Sequence, residues 1–132
     1  ATAIAGVATA DVVARAEDAP RRTMMRFRGG AVTGCNLFAL LRPDAGTVIE
    51  AWQRIEALRK RPAAMARAIG PLTAARFAAG MLSLRDAETA LGRKIGVPVG
   101  TVEVEDPLAA HDVDSPAHLA YARRILGGRA SA

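Results

Sequence analysis

"VPVGTVEVEDPLAAHDVDSPAHLAYARRIL", residues 97 to 126, changes its period part-way along. The opening alternates, with Val102 and Val104 on one side of an extended chain, and reads as a strand. The close repeats Leu119, Ala122, Ile125 and Leu126 at helical spacing. Ser115 is a good N-cap and Pro116 suits the first helical position, so a helix is predicted over 116–126. Between the two stand Asp112 and Asp114. A cap needs only one short polar side chain. If the chain before the cap is extended, both carboxylates point to the same side and can face one cleft.

The same two periods alternate back toward the start of the chain. Residues 2–8, "TAIAGVA", read as a short buried strand, and 9–17 as a short helix or turn capped by Thr9. "RRTMMRF" at 21–27 and "VTGCNLFALL" at 32–41 read as neighbouring strands joined across the glycines of "RGG". From Pro43 an apolar stripe of Val48, Trp52 and Ile55 predicts a helix over 44–60. "PAAMARAIG" and "PLTAARFAAG" each open with Pro and close with Gly, the asymmetry of short helices. Ser83 with Asp86 resembles a capping box for a helix reaching to residue 95.

This order of elements implies an α/β fold in three layers rather than a bundle or a sandwich. Segments near 2–8, 22–27, 33–41 and 98–104 should form a mixed sheet with flanking helices. One domain is expected over 1–126. The tail "GGRASA", residues 127–132, is expected to be frayed and disordered.

The 132 residues are 51% hydrophobic, enough for one real core. Eighteen Lys and Arg against 13 Asp and Glu give +5, nearly all of it from arginine. Such a balance suits an anionic ligand such as a phosphate, or nucleic acid. Aromatic residues, at 4%, are too sparse to stack bases, and no nucleic-acid motif occurs. The alternatives to an enzyme are a basic module binding nucleic acid or another polyanion, and a domain that buries its Ala-rich helices against a partner. The single cysteine, Cys35, excludes an internal disulfide and a multi-cysteine zinc site, fits a cytoplasmic setting, and reads as a small buried hydrophobe. The most apolar stretch, 31–41, is too short to span a membrane. No basic region precedes the apolar start, so no secretory signal is expected. The chain begins within apolar sequence, as though part of something longer.

Two constellations carry chemistry. Magnesium takes oxygen ligands, usually one or two carboxylates completed by substrate phosphates and water, and Asp112 and Asp114 offer such atoms. His111 adjoins Asp112, but no further His or Cys stands at ligand spacing; His118, in the first turn of the last helix, reads as a surface residue. "MMRFRGGAVTGCN" sets Arg26 and Arg28 on one side of an extended segment before two glycines, where guanidinium forks can grip an oxyanion. The basic cluster "ALRKRP" at 57–62 can complement a helix C-terminus.

"HDVDSPAHLAYARRIL" resembles the closing motif of the MobA-like nucleotidyltransferases, in which an Asp-hydrophobic-Asp-Thr/Ser-Pro string enters the final helix of the catalytic domain. "FRGGAVTGCNLFAL" resembles that family's Thr-Gly strand, which lines the acceptor pocket. Their order, and the helical insertion between them, match from about residue 21 to 126. The resemblance implies an incomplete three-layer Rossmann-like nucleotidyltransferase fold, its C-terminal half. It implies that Asp114 helps hold the catalytic magnesium with Asp112 as near neighbour, and that Thr33 and Gly34, with Asn36 just beyond, lie on the acceptor side. Arg26 and Arg28 are placed there by their charge and position. The implied reaction joins the NMP part of an NTP to a phosphorylated small-molecule acceptor and releases pyrophosphate. Val32 stands where many sugar-nucleotide relatives have a polar residue, which removes a hydroxyl contact expected of a sugar acceptor. The family's glycine-rich Leu-Ala-Gly-Gly loop and its mid-domain aspartate do not occur in these residues. A sheet lacking those neighbours should self-associate.

Overall fold

The computed structural model describes residues 1–58 and 61–130. Four strands form one mixed sheet: β1 (Ala3–Thr9), β2 (Met25–Phe27), β3 (Gly30–Leu40) and β4 (Val99–Glu103), in the order β2-β3-β1-β4. β1 runs antiparallel to β3 and parallel to β4, and β2 pairs antiparallel with β3. The expected mixed sheet is present, each strand overlapping the segment expected for it. β2 is shorter than expected, since only Met25, Arg26 and Phe27 find partners, opposite Val32, Ala31 and Gly30. Gly29 and Gly30, at φ +102° and +147°, make the turn between β2 and β3.

Helices begin where short polar side chains or prolines could start them. In α1 (Ala10–Ala14) Thr9 accepts from the Val12 N–H at 3.4 Å. In α5 (Leu84–Ile95) Ser83 accepts from the Asp86 N–H at 3.0 Å, and the helix closes on Gly96 in the left-handed region. α3 (Pro62–Ile69) and α4 (Pro71–Ala78) both start on proline. α2 spans Gly46–Leu58 behind a 3-10 turn at Pro43–Ala45, slightly later than the 44–60 expected; Arg59 and Lys60 of the basic cluster lie outside the described residues. α6 spans Pro116–Ala130. It continues through Gly127 and Gly128 into the stretch expected to fray, because nothing in two glycines forbids helix once a capped, packed first half has nucleated it; residues 131–132 lie outside the described residues.

Strand alternation gives the sheet two faces. On one, Phe38 of β3 meets Trp52 of α2 with ring centroids 5.6 Å apart. On that face too, Glu88 of α5 accepts from the Thr101 N–H at 3.0 Å and from the Thr101 hydroxyl. The other face carries the small core of Ala8, Val12, Cys35 and Ala110, joined by Val104. Gly6 is closely packed there: a Cβ would stand 3.0 Å from Val104 Cγ2 and 3.3 Å from Leu37 Cβ, so those side chains would have to shift to admit one. Further along this face cover runs out: Leu37 is 52% and Val102 49% exposed. Among the described residues no helix is long and apolar enough to cross a membrane.

Candidate functional site

The two sequence motifs meet at a fault in the sheet. Between the pairs Ala5↔Phe38 and Val7↔Gly34, Gly6 alone faces Cys35, Asn36 and Leu37, so β3 bulges. Asn36 sits in the bulge at φ +51°, a conformation asparagine tolerates better than most residues. From there its Nδ2 donates to Asp112 Oδ2 at 2.5 Å. Arg22 Nη2 approaches the same oxygen at 3.5 Å. One carboxylate thereby ties three segments: the chain before β2, the β3 bulge and the loop before α6.

That loop is not the continuous strand exit the spacing suggested. β4 ends at Glu103, and a turn at 107–110, held in part by the Leu108 N–H bonding Asp106 Oδ1 at 2.9 Å, comes before residues 111–114. The carboxylates differ in circumstance. Asp112 is half-buried with Oδ2 engaged, whereas Asp114 is exposed and its side chain has no hydrogen bond or ion pair among the described residues. The Asp114 backbone N–H donates to His118 Nδ1 at 3.1 Å, and Ser115 Oγ accepts from the His118 N–H at 3.2 Å, so the helix entrance is capped without the Asp114 carboxylate. His118, read as a surface residue, is therefore part of the cap. Among the described residues no three His, Cys, Asp or Glu converge as a metal cage. A free carboxylate with a second one close in sequence fits magnesium, which binds through one or two carboxylates and leaves its other positions to phosphates and water.

The remaining expected site residues fall apart into different places. Thr33 is buried opposite Ala8, 4% exposed, and so belongs to the core rather than to an open surface. Gly34 faces open space. Arg26 and Arg28 are exposed on and just after β2; the Arg28 backbone N–H bonds the Leu82 carbonyl at 2.8 Å, and neither side chain touches Asn36 or Asp112. The arginine that reaches Asp112 is Arg22. Nothing in the spacing of "PRRTMM" distinguishes it from Arg21, since its partner lies far along the chain.

Two further groups define the surroundings. His111 stacks obliquely on Tyr121 of α6, centroids 5.3 Å apart, and its Nε2 is buried without a partner. Burial, then the positive charge of Arg22, holds the imidazole pKa below its ordinary 6.5. Cys35 is buried beside the bulge; burial pushes its thiol pKa up, with Arg22 acting against that shift and Asp112 with it. A cavity of 190 Å³ opens against Pro20, His111, Asp112, His118 and Tyr121.

No family model matches the chain, and no curated protein matches it. A solved structure described as a hypothetical transferase from Thermus thermophilus is similar to it, with 30% identity and a TM-score of 0.78. The match covers 89% of this chain and 51% of that one. The fold is transferase-like. This chain spans about half the length of the Thermus structure, and its four-stranded mixed sheet with flanking helices corresponds to that part.

Proposed function

We propose that this chain is the acceptor-side, C-terminal half of a magnesium-dependent nucleotidyltransferase of the MobA-like kind, moving an NMP group from an NTP to a phosphorylated small molecule. The observation that carries this reading is the Asn36–Asp112 hydrogen bond. It joins the Thr-Gly strand to the Asp-Val-Asp string, as one site built from both motifs requires. The likeness to a hypothetical transferase supports a transferase in general, and Cys35 as a free thiol suits the cytoplasm.

In this reading Asp114 supplies the open carboxylate for magnesium, and Asp112, fixed by Asn36 and Arg22, keeps the loop in place. Bound magnesium would polarise the phosphates under attack and neutralise charge on the departing pyrophosphate. The bulge at Asn36 lets the acceptor approach the Asp112–Asp114 loop, and Gly34 leaves space beside it. The glycine-rich cradle for the triphosphate would come from chain outside these residues. The test is pyrophosphate release by the longest product of the gene, given magnesium, each NTP in turn and a panel of phosphorylated acceptors. Release dependent on both acceptor and Asp114 supports the proposal; a protein that binds acceptor but releases no pyrophosphate with any NTP overturns it.

A further inference from the structure

Arg22 is a cation the protein underuses. Its side chain is only 17% exposed, yet its one ion-pair contact among the described residues, to Asp112 Oδ2, is 3.5 Å long, well beyond the 2.7–2.9 Å of a charge-assisted hydrogen bond. That oxygen already accepts from Asn36 at 2.5 Å. Arg22 Nε is buried with neither solvent nor a partner. A guanidinium offers five N–H groups in a planar fork, and desolvating it without short partners is costly. The exposed arginines differ: Arg26 and Arg28 stand in water, where a guanidinium lacks nothing.

We infer that Arg22 is the residue that grips a phosphate oxyanion of the acceptor, beside Asn36 and the Asp112 loop. The inference rests on the nucleotidyltransferase reading for the word acceptor, and on the geometry for the anion. An incoming phosphate gives the fork two short parallel contacts in place of one long one. Asp112 is not stranded by the exchange, since Asn36 remains its donor.

The probe is inorganic phosphate, titrated against the chain at constant ionic strength while the arginine Nε–H resonances are followed by NMR. A saturable shift at Arg22 is expected, with binding weakened about tenfold or more by Arg22→Gln and by a smaller factor by Arg22→Lys, which keeps the charge but loses the fork. Arg26→Gln and Arg28→Gln should leave the affinity unchanged. If Arg22→Gln does not fold, the lysine variant and the wild-type shift decide the matter. Shifts confined to Arg26 or Arg28, or equal affinity in the wild type and Arg22→Lys, overturn the inference. A second arm adds an NTP with magnesium to the gene's longest product. An NTP that competes with phosphate for Arg22 assigns the anion to the nucleotide and overturns the acceptor role, whereas independent binding supports it. Because phosphate binding needs neither nucleotide nor turnover, it can succeed where the transferase assay fails, and the reverse.

Discussion

Asn36 and Asp112, 76 positions apart, meet in a hydrogen bond that a left-handed asparagine makes from inside a strand bulge. The backbone there is tuned to the contact. Asn36→Gly removes the side chain while easing the φ of +51°, whereas Asn36→Ala removes it and adds strain. Asn36→Ala should therefore be less stable than Asn36→Gly by about 1 kcal/mol. The bond itself is solvent-exposed, so the coupling of Asn36→Gly with Asp112→Ala should be about 1 kcal/mol or less in a double-mutant cycle by urea unfolding. Additive behaviour would mean that the two side chains do not communicate.

Asp114 is expected to separate function from folding. With its carboxylate unengaged and Ser115 still capping α6, Asp114→Ala should change stability by less than about 0.5 kcal/mol. If the proposed nucleotidyl transfer is the activity of the gene's longest product, the same change there should lower kcat roughly a hundredfold or more. Asp112→Ala should cost less in rate, about 10- to 100-fold, and more in stability. Turnover against magnesium concentration, beside a thermal melt of each variant, distinguishes them. An early-melting Asp114→Ala with normal turnover would make the aspartates structural.

His111 gives a pH signature. Its folded pKa lies below the 6.5 of the unfolded chain, through burial first, then Arg22 and His118, with Asp112 opposing. Below 6.5 the unfolded state therefore takes up the proton first, and folding is penalised. Stability should be level above this window and fall as the pH drops through it. Melts from about pH 8 to about pH 5 should show that slope, and His111→Gln should flatten it. An unchanged slope in the variant would assign the effect elsewhere.

Glu88 holds the edge strand to the helix beneath it. Its carboxylate accepts from both the Thr101 N–H and the Thr101 hydroxyl, so Glu88→Ala leaves two donors to find water. A loss of about 1–2 kcal/mol is expected, concentrated at β4. Hydrogen exchange should show the Thr101 amide losing protection before the amides of β1, and uniform loss would argue against a local role.

The uncovered face predicts behaviour at high concentration. Leu37 and Val102 are half exposed, and β4 is paired on one side only, which invites edge-to-edge association. Sedimentation equilibrium should show self-association that weakens in Val102→Lys and Leu37→Glu. A clean monomer at high concentration would remove this expectation.

The strands and the capped helices are legible in the residues because each rests on local chemistry: alternation at Val102 and Val104, Ser83 before Asp86, Ser115 before Pro116. What local chemistry does not contain is a partner. Arg22 differs from Arg21, Arg26 and Arg28 only in what it touches, and its contact is set by how β1 and β3 bring the chain before β2 beside the loop before α6. The burial of Thr33 is likewise a matter of strand pairing that its neighbours in sequence do not specify. Its motif names it as a lining residue, but its position opposite Ala8 turns it into the core. The helical state of residues 127–130 is not legible in the sequence, because two glycines lower propensity without deciding it.

β1 is an interior strand with partners of very different ages. On a ribosome it emerges ahead of both partners, gains β3 within a few dozen residues, and then waits much longer for β4, since Ala3 pairs with Val99 and the Thr2 N–H with the Pro98 carbonyl. While the residues between β3 and β4 are made, one edge of the central strand is open. A nascent chain stalled before Val99 is therefore an exposed sheet edge with its hydrogen bonds unmade, the form most readily caught by a chaperone or by another copy. Closure of this sheet is a late, long-range event, and a contact of that separation slows folding more than it adds to stability.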